Sequence, residues 1–275
     1  YTFANKKINT LESNFGNLIA INNAFQNCYL NDPKTLNYFD KLRSSEAADY
    51  SRYLFFYVNH LVHEKRLDLV KQISSEINGL SSNLIILQTK AWIEKNKFKD
   101  IEKIFSCKNE NDLLAEFFYL VSNLYASQDE FEQSNFYLNI SFFLNKKFKI
   151  NLSLMADNYF INENYEQSLK VLDVFDLKDD LYYWFKIKQK GKIIAEQKDK
   201  EEALKFIELN FKKIKNPSKK ILFDLASIYK NSKKYDKAIE LYTLVLNRTE
   251  KSSLNYADLL YRRGGSYERI GKYEK

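Results

Sequence analysis

The chain has 275 residues and a formal net charge of +7, and 45% of its residues are hydrophobic and 29% charged. This balance is typical of a folded domain and excludes a disordered chain, which has too few apolar residues to bury. Six glycines and two prolines are too few for the closely spaced turns of a β-sandwich or barrel, so the composition predicts an all-α protein. No stretch approaches the roughly 18 to 20 apolar residues of a membrane-spanning helix, so we expect no membrane span.

Residues 1–48 contain two amphipathic pieces, roughly 8–29 and 34–43, separated by the turn residues Asn31, Asp32 and Pro33. We interpret this region as irregular helical hairpins. Residues 49–112 continue with two weak helical repeats, which have lost one of the small residues found further along the chain. Their apolar positions are Leu54, Val58, Leu61 and Leu67 in one, and Ile85, Thr89, Trp92, Phe98 and Phe105 in the other.

From residue 113 to residue 275 a small residue returns at a nearly constant interval. The column consists of Ser122, Ala156, Gly191, Ala226 and Gly264, with separations of 34, 35, 35 and 38 residues. A second small residue follows the first four of these after a polar turn, at Ser134, Ser168, Ala203 and Ala238. A periodic chain of this kind is a stack of like units and not a single catalytic core.

The clearest unit runs from Ile221 to Leu246 and predicts two antiparallel helices. Leu222, Leu225, Ala226 and Tyr229 lie at i, i+3, i+4 and i+7, on one face of a helix. After a polar bend at 231–234, the inner side of a second helix presents Tyr235, Ala238, Ile239, Tyr242, Val245 and Leu246. We expect the two faces to bury each other, with Ala226 and Ala238 allowing the helix axes to approach closely.

These columns resemble the tetratricopeptide repeat, whose pattern stands here as Leu222, Leu225, Ala226, Tyr229, Tyr235, Ala238 and Tyr242. The resemblance covers 113–275, where the last repeat is truncated, and continues in degenerate form over 49–112. It implies a right-handed superhelical array of antiparallel helix pairs, an α-solenoid. Lysine- and asparagine-rich repeat proteins of this kind are similar to exported proteins of AT-rich bacteria, so a bacterial origin is expected and a periplasmic or a cytoplasmic location stays open.

The resemblance further implies that the first helix of each pair lines a concave groove. Helical geometry then points the residues beside each small residue into that groove: Phe55, Asn59, Lys90, Tyr119, Asn123, Asp157, Lys188, Lys192, Phe223, Ser227, Lys230 and Tyr261. Such a mixture of rings, amides and lysines suits an extended peptide or a partner helix. Two plainer interpretations stay open: the phenylalanines pack between repeats, and the lysines form a solvated face.

The positive charge is concentrated in one repeat. Residues 186–220 hold twelve lysines against five acidic residues. Alternate lysines from Lys186 to Lys192 follow the aromatic residues Tyr182, Tyr183 and Trp184, and a basic, aromatic stretch is one signature of RNA binding. Nucleic-acid binding is therefore the alternative function, although alternate lysines spread around a helix and do not form one stripe.

Two features could suggest metal or redox chemistry. Cys28 and Cys107 are 79 residues apart and show no Cys-x-x-Cys spacing, so we expect them to be small core residues and not a disulfide or a zinc site. His60 and His63 stand at i and i+3 on a predicted helix, but no third ligand is evident from the sequence. We therefore predict no metal.

No catalytic constellation is recognisable, because the carboxylates fall on exposed helix faces without a paired, buried setting. We predict a non-catalytic protein-protein interaction scaffold without a cofactor, which binds a peptide or partner protein in its groove. We also expect a segment of a longer protein, because the chain starts at Tyr1 and ends within a repeat at Lys275. It could then be the docking region of a larger enzyme.

Overall fold

The computed structural model describes residues 16–43 and 51–272. Within these ranges the chain forms fifteen α-helices, a 3₁₀ turn at Lys149–Asn151 and no β-strand, which confirms the all-α prediction. None of the helices in the described ranges is both long enough and apolar enough to cross a membrane. The predicted pieces at 8–15, the linker at 44–50 and the last aromatic position, Tyr273, lie outside the described residues.

The helices divide between two compact units. Unit 1, which comprises 1–77 and 83–174, contains α1 Gly16–Tyr29, α2 Thr35–Arg43, α3 Tyr53–His63, α4 Leu67–Glu76, α5 Leu84–Glu94, α6 Phe98–Glu102, α7 Glu110–Ala126, α8 Phe131–Leu144, α9 Leu152–Ile161 and α10 Tyr165–Leu172. Unit 2, which comprises 78–82 and 175–275, contains α11 Asp180–Gln197, α12 Lys200–Phe211, α13 Lys219–Asn231, α14 Tyr235–Leu246 and α15 Leu254–Arg269. The boundaries predicted after residues 48 and 112 stay a prediction.

Helices that follow each other along the chain pack together in both units. In unit 1 the pairs include α1 with α2, α3 with α4, α5 with α6, α7 with α8 and α9 with α10. In unit 2, α11 packs on α12, and α14 packs on both α13 and α15. Short connections explain this order, because a two- to eight-residue link leaves consecutive helices as antiparallel neighbours.

The helix starts follow from residues that the sequence places at the N-caps. Six of the described helices begin after an Asn, Asp or Ser whose side-chain oxygen accepts the N–H of the residue three positions on: Asn83, Asn109, Asn164, Asp199, Ser218 and Ser253. Each of these bonds satisfies an N–H that would otherwise lack a partner in the first turn. The caps therefore fix where α5, α7, α10, α12, α13 and α15 start.

The first helices of the hairpins end in a recurring left-handed turn. Seven residues adopt a positive φ near these ends: Asn31, Lys65, Asn96, Asp129, Glu163, Lys233 and Gly271. At α7, for example, the N–H of Glu130 donates to the carbonyl of Tyr125 at 3.0 Å and that of Asp129 to Ala126 at 3.1 Å, as in a Schellman motif. Successive turns are 34, 31, 33, 34, 70 and 38 residues apart. The gap of 70 spans α11, which ends at Lys198 with a negative φ.

The α13–α14 hairpin has the form that its sequence predicts. Leu222, Leu225, Ala226 and Tyr229 are buried on α13, and Ala238, Ile239, Tyr242, Val245 and Leu246 are buried on α14. The predicted bend at 231–234 contains the positive φ of Lys233. The prediction for this pair is confirmed.

Close approach at the small residues is visible in two other hairpins. In α9–α10 the hydroxyl of Ser168 donates to the carbonyl of Ala156 at 2.8 Å, which requires the two helix backbones to come together. In α11–α12 a β-carbon at Gly191 would lie 2.7 Å from Cδ1 of Ile207. The prediction is wrong for Gly264, which is exposed on α15 and where a β-carbon would meet nothing within 4 Å.

The core of unit 1 is an aromatic cluster. Phe56 on α3 lies with its ring centroid 5.1 Å from Phe25, 4.7 Å from Phe105 and 5.8 Å from Phe148. These contacts join α1, α3 and the segments that precede α7 and α9. Edge-to-face aromatic contacts of this kind add about 0.5 to 1.5 kcal/mol each to the burial of the rings, so the cluster holds together elements that the repeat pattern marks only weakly.

Candidate binding surfaces

Two of the predicted groove residues belong to the core of unit 1. Phe55 and Asn59 on α3 are both buried. The Phe55 ring packs 5.2 Å from that of Phe148, and Nδ2 of Asn59 donates to the carbonyls of Ile101 and Phe105 at 2.9 Å each. A partner cannot reach either side chain because α2, α4, α5 and α6 all pack on α3. They are therefore not contact residues.

Lys90 and Tyr119 are half-buried and already engaged within unit 1. Nζ of Lys90 donates to the carbonyls of Ser74 and Ile77 at 2.7 and 3.2 Å, which closes the C-terminal end of α4. The Tyr119 ring on α7 lies 3.8 Å from the guanidinium carbon of Arg52. Both side chains hold the unit together, so changing them would test packing before it tested binding.

Arg52 and Glu116 form a buried ion pair that the sequence analysis missed. The Nε and Nη2 atoms of Arg52 donate to the two carboxylate oxygens of Glu116 at 2.8 and 2.7 Å, and Nη2 also donates to Oδ1 of Asn151 at 2.7 Å. Burial works to lower the pKa of Arg52, but the attraction and hydrogen bonds of Glu116 outweigh burial and raise it. The two residues lie 64 positions apart, a spacing that carries no sequence signal.

A small cleft of about 130 Å³ opens beside this ion pair. Its lining comprises Arg52, Asn83, Leu84, Ile85, Tyr119, Ile150 and Ser153. A pocket for a small organic ligand measures roughly 300 to 1,000 Å³, so this cleft is too small for one. The charge of Arg52 is also neutralised by Glu116, and the arrangement is therefore structural.

The outer face of α7 exposes large apolar side chains. Phe117 is 55% exposed and Leu124 is 53% exposed. They stand at i and i+7, on the side of α7 opposite the buried Ala115 and Ser122. Asn123, one of the predicted groove residues, is exposed beside them. Single exposed apolar residues are ordinary, but a row of them along one helix face is typical of an interaction surface.

The outer face of α8 repeats this arrangement. Phe136 and Phe143 are 60% and 74% exposed and are also separated by seven residues. They lie opposite the buried Ser134 and Ser141. The α7–α8 hairpin therefore carries apolar rows on both of its outer faces, which the sequence analysis did not separate from core positions. Asp157, a predicted groove residue on α9, is half-buried.

In unit 2 the predicted Lys188 is bound to Asp224, on the neighbouring first helix α13. Oδ2 of Asp224 accepts from Nζ of Lys188 at 2.7 Å and from Nε1 of the buried Trp184 at 3.1 Å. Lys220 completes the group, with its Nζ 3.0 Å from Oδ1 of Asp224. The cluster carries two ammonium groups and one carboxylate, so its net charge is positive.

Phe223 and Ser227 lie next to this charged cluster. The Phe223 ring is flanked by cations, with Nζ of Lys220 at 5.6 Å and the guanidinium carbon of Arg262 at 5.1 Å from its centroid, both within cation–π range. The hydroxyl oxygens of Ser227 and Tyr242 lie 3.1 Å apart. The structure therefore brings four predicted or neighbouring polar positions of α11, α13 and α15 together around one aromatic ring.

The remaining predicted residues of unit 2 differ in exposure. Lys192 and Tyr261 are exposed, and Lys230 is half-buried. Tyr261 follows the exposed Leu254 by seven residues on α15, which gives this helix an apolar row like those of α7 and α8.

The aromatic part of the nucleic-acid hypothesis does not agree with the structure. Tyr182, Tyr183 and Trp184 are all buried within unit 2. Base stacking requires an accessible ring face, so these residues cannot serve as stacking platforms. The same burial agrees with the prediction that Trp184 is a packing residue, and Trp92 is buried likewise.

Cys28 and Cys107 are buried and joined by a disulfide, which corrects the expectation that they are separate core residues. Their Cα atoms are 5.9 Å apart, within the usual range. His60 lies beside them, and burial lowers its pKa, as do the positive charges of Lys108 and His63. The sequence could not reveal this pair because 79 residues separate the cysteines and only the packing of α1 brings them together.

Comparison with protein-family models and with curated proteins finds no match for this chain.

Proposed function

We propose that this protein is a non-catalytic scaffold that binds a protein partner through the outer faces of its helix hairpins. The observation that carries the proposal is the apolar row of Phe117 and Leu124 on α7, whose side chains are each more than half exposed to solvent. Covering such a row removes apolar surface from water at roughly 25 cal/mol per Å². A partner helix with apolar residues at the same seven-residue spacing would match it.

The tetratricopeptide resemblance supports the choice of α7 over α8. In that family the first helix of each pair lines the groove, and α7 is the first helix of its hairpin. Under this proposal Asn123 would add a hydrogen bond beside the apolar row, as polar groups do at the rim of protein interfaces. In unit 2 the corresponding first helices would offer Lys192, Phe223 and Tyr261.

The positive cluster around Asp224 favours a partner with acidic side chains near unit 2. Lys188 and Lys220 keep an excess of one charge after pairing with Asp224, and the Phe223 ring supplies apolar surface beside them. Charge of one sign next to an aromatic ring suits an acidic-aromatic peptide. The same surfaces would serve the docking region of a larger enzyme equally well.

Photo-crosslinking tests the proposal position by position. A photoreactive phenylalanine analogue would replace Phe117 in one variant and Phe143 in a matched variant, which places the probe on α7 or on α8 of the same hairpin. We expect the probe at 117 to yield one discrete crosslinked protein in cell extract and the probe at 143 to yield none. Equal patterns at the two positions, or no crosslink at 117, would contradict the proposal.

A charge substitution gives the complementary test. Phe117→Glu with Leu124→Glu should abolish recovery of the crosslinked partner on affinity capture, whereas Phe136→Glu with Phe143→Glu should leave it unchanged. All four positions are exposed, so both double variants should keep the helical circular dichroism and the melting temperature of the parent. Retained capture by the α7 variant would exclude the proposed face.

A further inference from the structure

Three donor atoms from separate elements of unit 1 meet at the disulfide. Cys28 belongs to the last turn of α1, His60 to α3, and Cys107 to the segment between α6 and α7. Nδ1 of His60 lies 3.4 Å from Sγ of Cys28. All three donor atoms, the two sulfurs and an imidazole nitrogen, lie within 4.8 Å of one another. Two sulfurs and an imidazole form a ligand set that zinc takes in proteins.

We propose that this cluster is a thiol-gated metal site. When the disulfide is reduced, Cys28, Cys107 and His60 bind one ion of the Zn²⁺ class, and the disulfide is the metal-free form of the same site. The inference does not depend on the proposed scaffold function.

The spacing of the cluster fits tetrahedral coordination. Zinc bonds of about 2.3 Å to sulfur and about 2.0 to 2.1 Å to nitrogen place two thiolates roughly 3.8 Å apart and a thiolate and an imidazole nitrogen roughly 3.5 Å apart. The distance of 3.4 Å between Cys28 and His60 already has this value. Only the two sulfurs have to separate once their bond is broken, which rotation about the Cα–Cβ bonds can supply.

The surrounding hydrogen bonds keep the segment that carries Cys107 in place without the disulfide. The carbonyl of Phe105 accepts from Nδ2 of Asn59 at 2.9 Å and lies 3.1 Å from Nε2 of His63. On the other side of Cys107, the ammonium of Lys108 donates to the carbonyls of Cys28 and Tyr29 at the end of α1. The segment is therefore tied to both α3 and α1, and reduction should leave the two thiols adjacent.

The chemistry balances with a dithiol or phosphine as the reductant. A dithiol transfers two electrons and two protons to the disulfide and is itself oxidised to a disulfide, which leaves two protein thiols. Binding of Zn²⁺ then displaces one proton from each thiol, and the site becomes two thiolates, one neutral imidazole and one divalent cation. Its net charge is zero, which suits buried sulfurs. His60 is only half-buried, so a water or an incoming ligand could take the fourth position.

Cobalt titration tests the site directly. The full chain would be reduced with a phosphine, which avoids a thiol competitor for the metal, and titrated with Co²⁺. We expect one Co²⁺ per chain with thiolate-to-cobalt charge-transfer absorption in the near ultraviolet, its displacement by Zn²⁺, and no such absorption from the oxidised protein. Circular dichroism of the reduced protein in parallel reports whether it stays folded.

Matched variants distinguish a ligand from a neighbour. Loss of an outer-shell partner already weakens a metal site about 10- to 100-fold, so His60→Gln should weaken Co²⁺ affinity at least about tenfold. His63→Gln, whose imidazole faces Phe105 and Glu102 instead, should leave the affinity within about threefold. The proposal is overturned if the reduced protein binds no Co²⁺, if His60→Gln binds as tightly as the parent, or if reduction unfolds the chain and the disulfide is purely structural.

Discussion

Unit 1 and unit 2 solve the same packing problem with different contacts. The cross-links of unit 1 join residues far apart in sequence: Arg52 and Glu116 are 64 residues apart, Asn59 and Phe105 are 46 apart, and the disulfide spans 79. The polar links of unit 2 are shorter, with 36 residues between Lys188 and Asp224 and 29 between Lys237 and Glu208. Where the repeat pattern is weak, buried long-range contacts fix the helices, and where it is strong, adjacent hairpins do so with small residues.

The largest expected effect is on the buried ion pair of unit 1. Glu116→Ala leaves the charge of Arg52 buried without its partner, and we expect a loss of about 3 to 5 kcal/mol in the free energy of unfolding. The measurement is urea denaturation followed by circular dichroism.

The double variant Arg52→Met, Glu116→Met is the control for this effect. It removes both charges and keeps much of the volume, so it should be more stable than Glu116→Ala alone. If the single and double variants unfold at the same urea concentration, the pair is not what holds α7 against the segment before α3. The contrast between the units would then rest on the aromatic cluster and the disulfide alone.

An intermediate effect is expected at the small residues of unit 2. Gly191→Leu forces a side chain against Ile207, which a β-carbon alone would approach to 2.7 Å. Overpacking of this kind costs about 1 to 3 kcal/mol. Thermal melting of the variant should therefore show a lower transition temperature than that of the parent.

Gly264→Leu is the matched control on α15, because a β-carbon there meets nothing within 4 Å. Replacing a glycine in an exposed helix gains up to about 1 kcal/mol from helix propensity. The two substitutions should therefore shift the transition in opposite directions. Equal shifts would mean that the small residue at Gly191 has no special role in the α11–α12 contact.

The smallest effect concerns the surface links of unit 2 and their dependence on pH. Glu208 accepts from Nζ of Lys237 at 2.7 Å and from the hydroxyl of Tyr229 at 2.9 Å. The hydrogen bond from Lys237 in the first place, and that from Tyr229, lower the pKa of Glu208 below its usual value. Its contribution to stability is thus complete above the unfolded-state pKa near 4.5 and is lost as the pH falls through the folded value.

Glu208→Gln should consequently lower stability slightly at neutral pH and have no effect at a pH well below the folded pKa. Stability of the two proteins would be compared by urea denaturation across the acidic range. A difference that persists unchanged at low pH would show that the carboxylate acts through packing and not through its charge.

Prediction from sequence succeeded where a local pattern decides the contact. The 3.6-residue spacing of Leu222, Leu225, Ala226 and Tyr229 placed α13 and its buried face correctly. It was wrong at Gly264, because the buried positions of α15 are Leu259 and Ser266, and a helix with two small residues two positions apart offers the pattern in either register. For the candidate binding residues, spacing along a helix gave the face of Asn123 and Tyr261 but not the burial of Phe55 and Asn59.

The sequence alone determined that this chain is helical, where most hairpins lie and which small residues let them pair, because composition and helix periodicity act within one or two turns of the chain. The tertiary structure decided the union of Cys28 with Cys107, the burial of Arg52 with Glu116 and the exposure of Phe117 and Leu124. Those outcomes depend on which helices surround a given one, and no spacing along the chain records that neighbourhood.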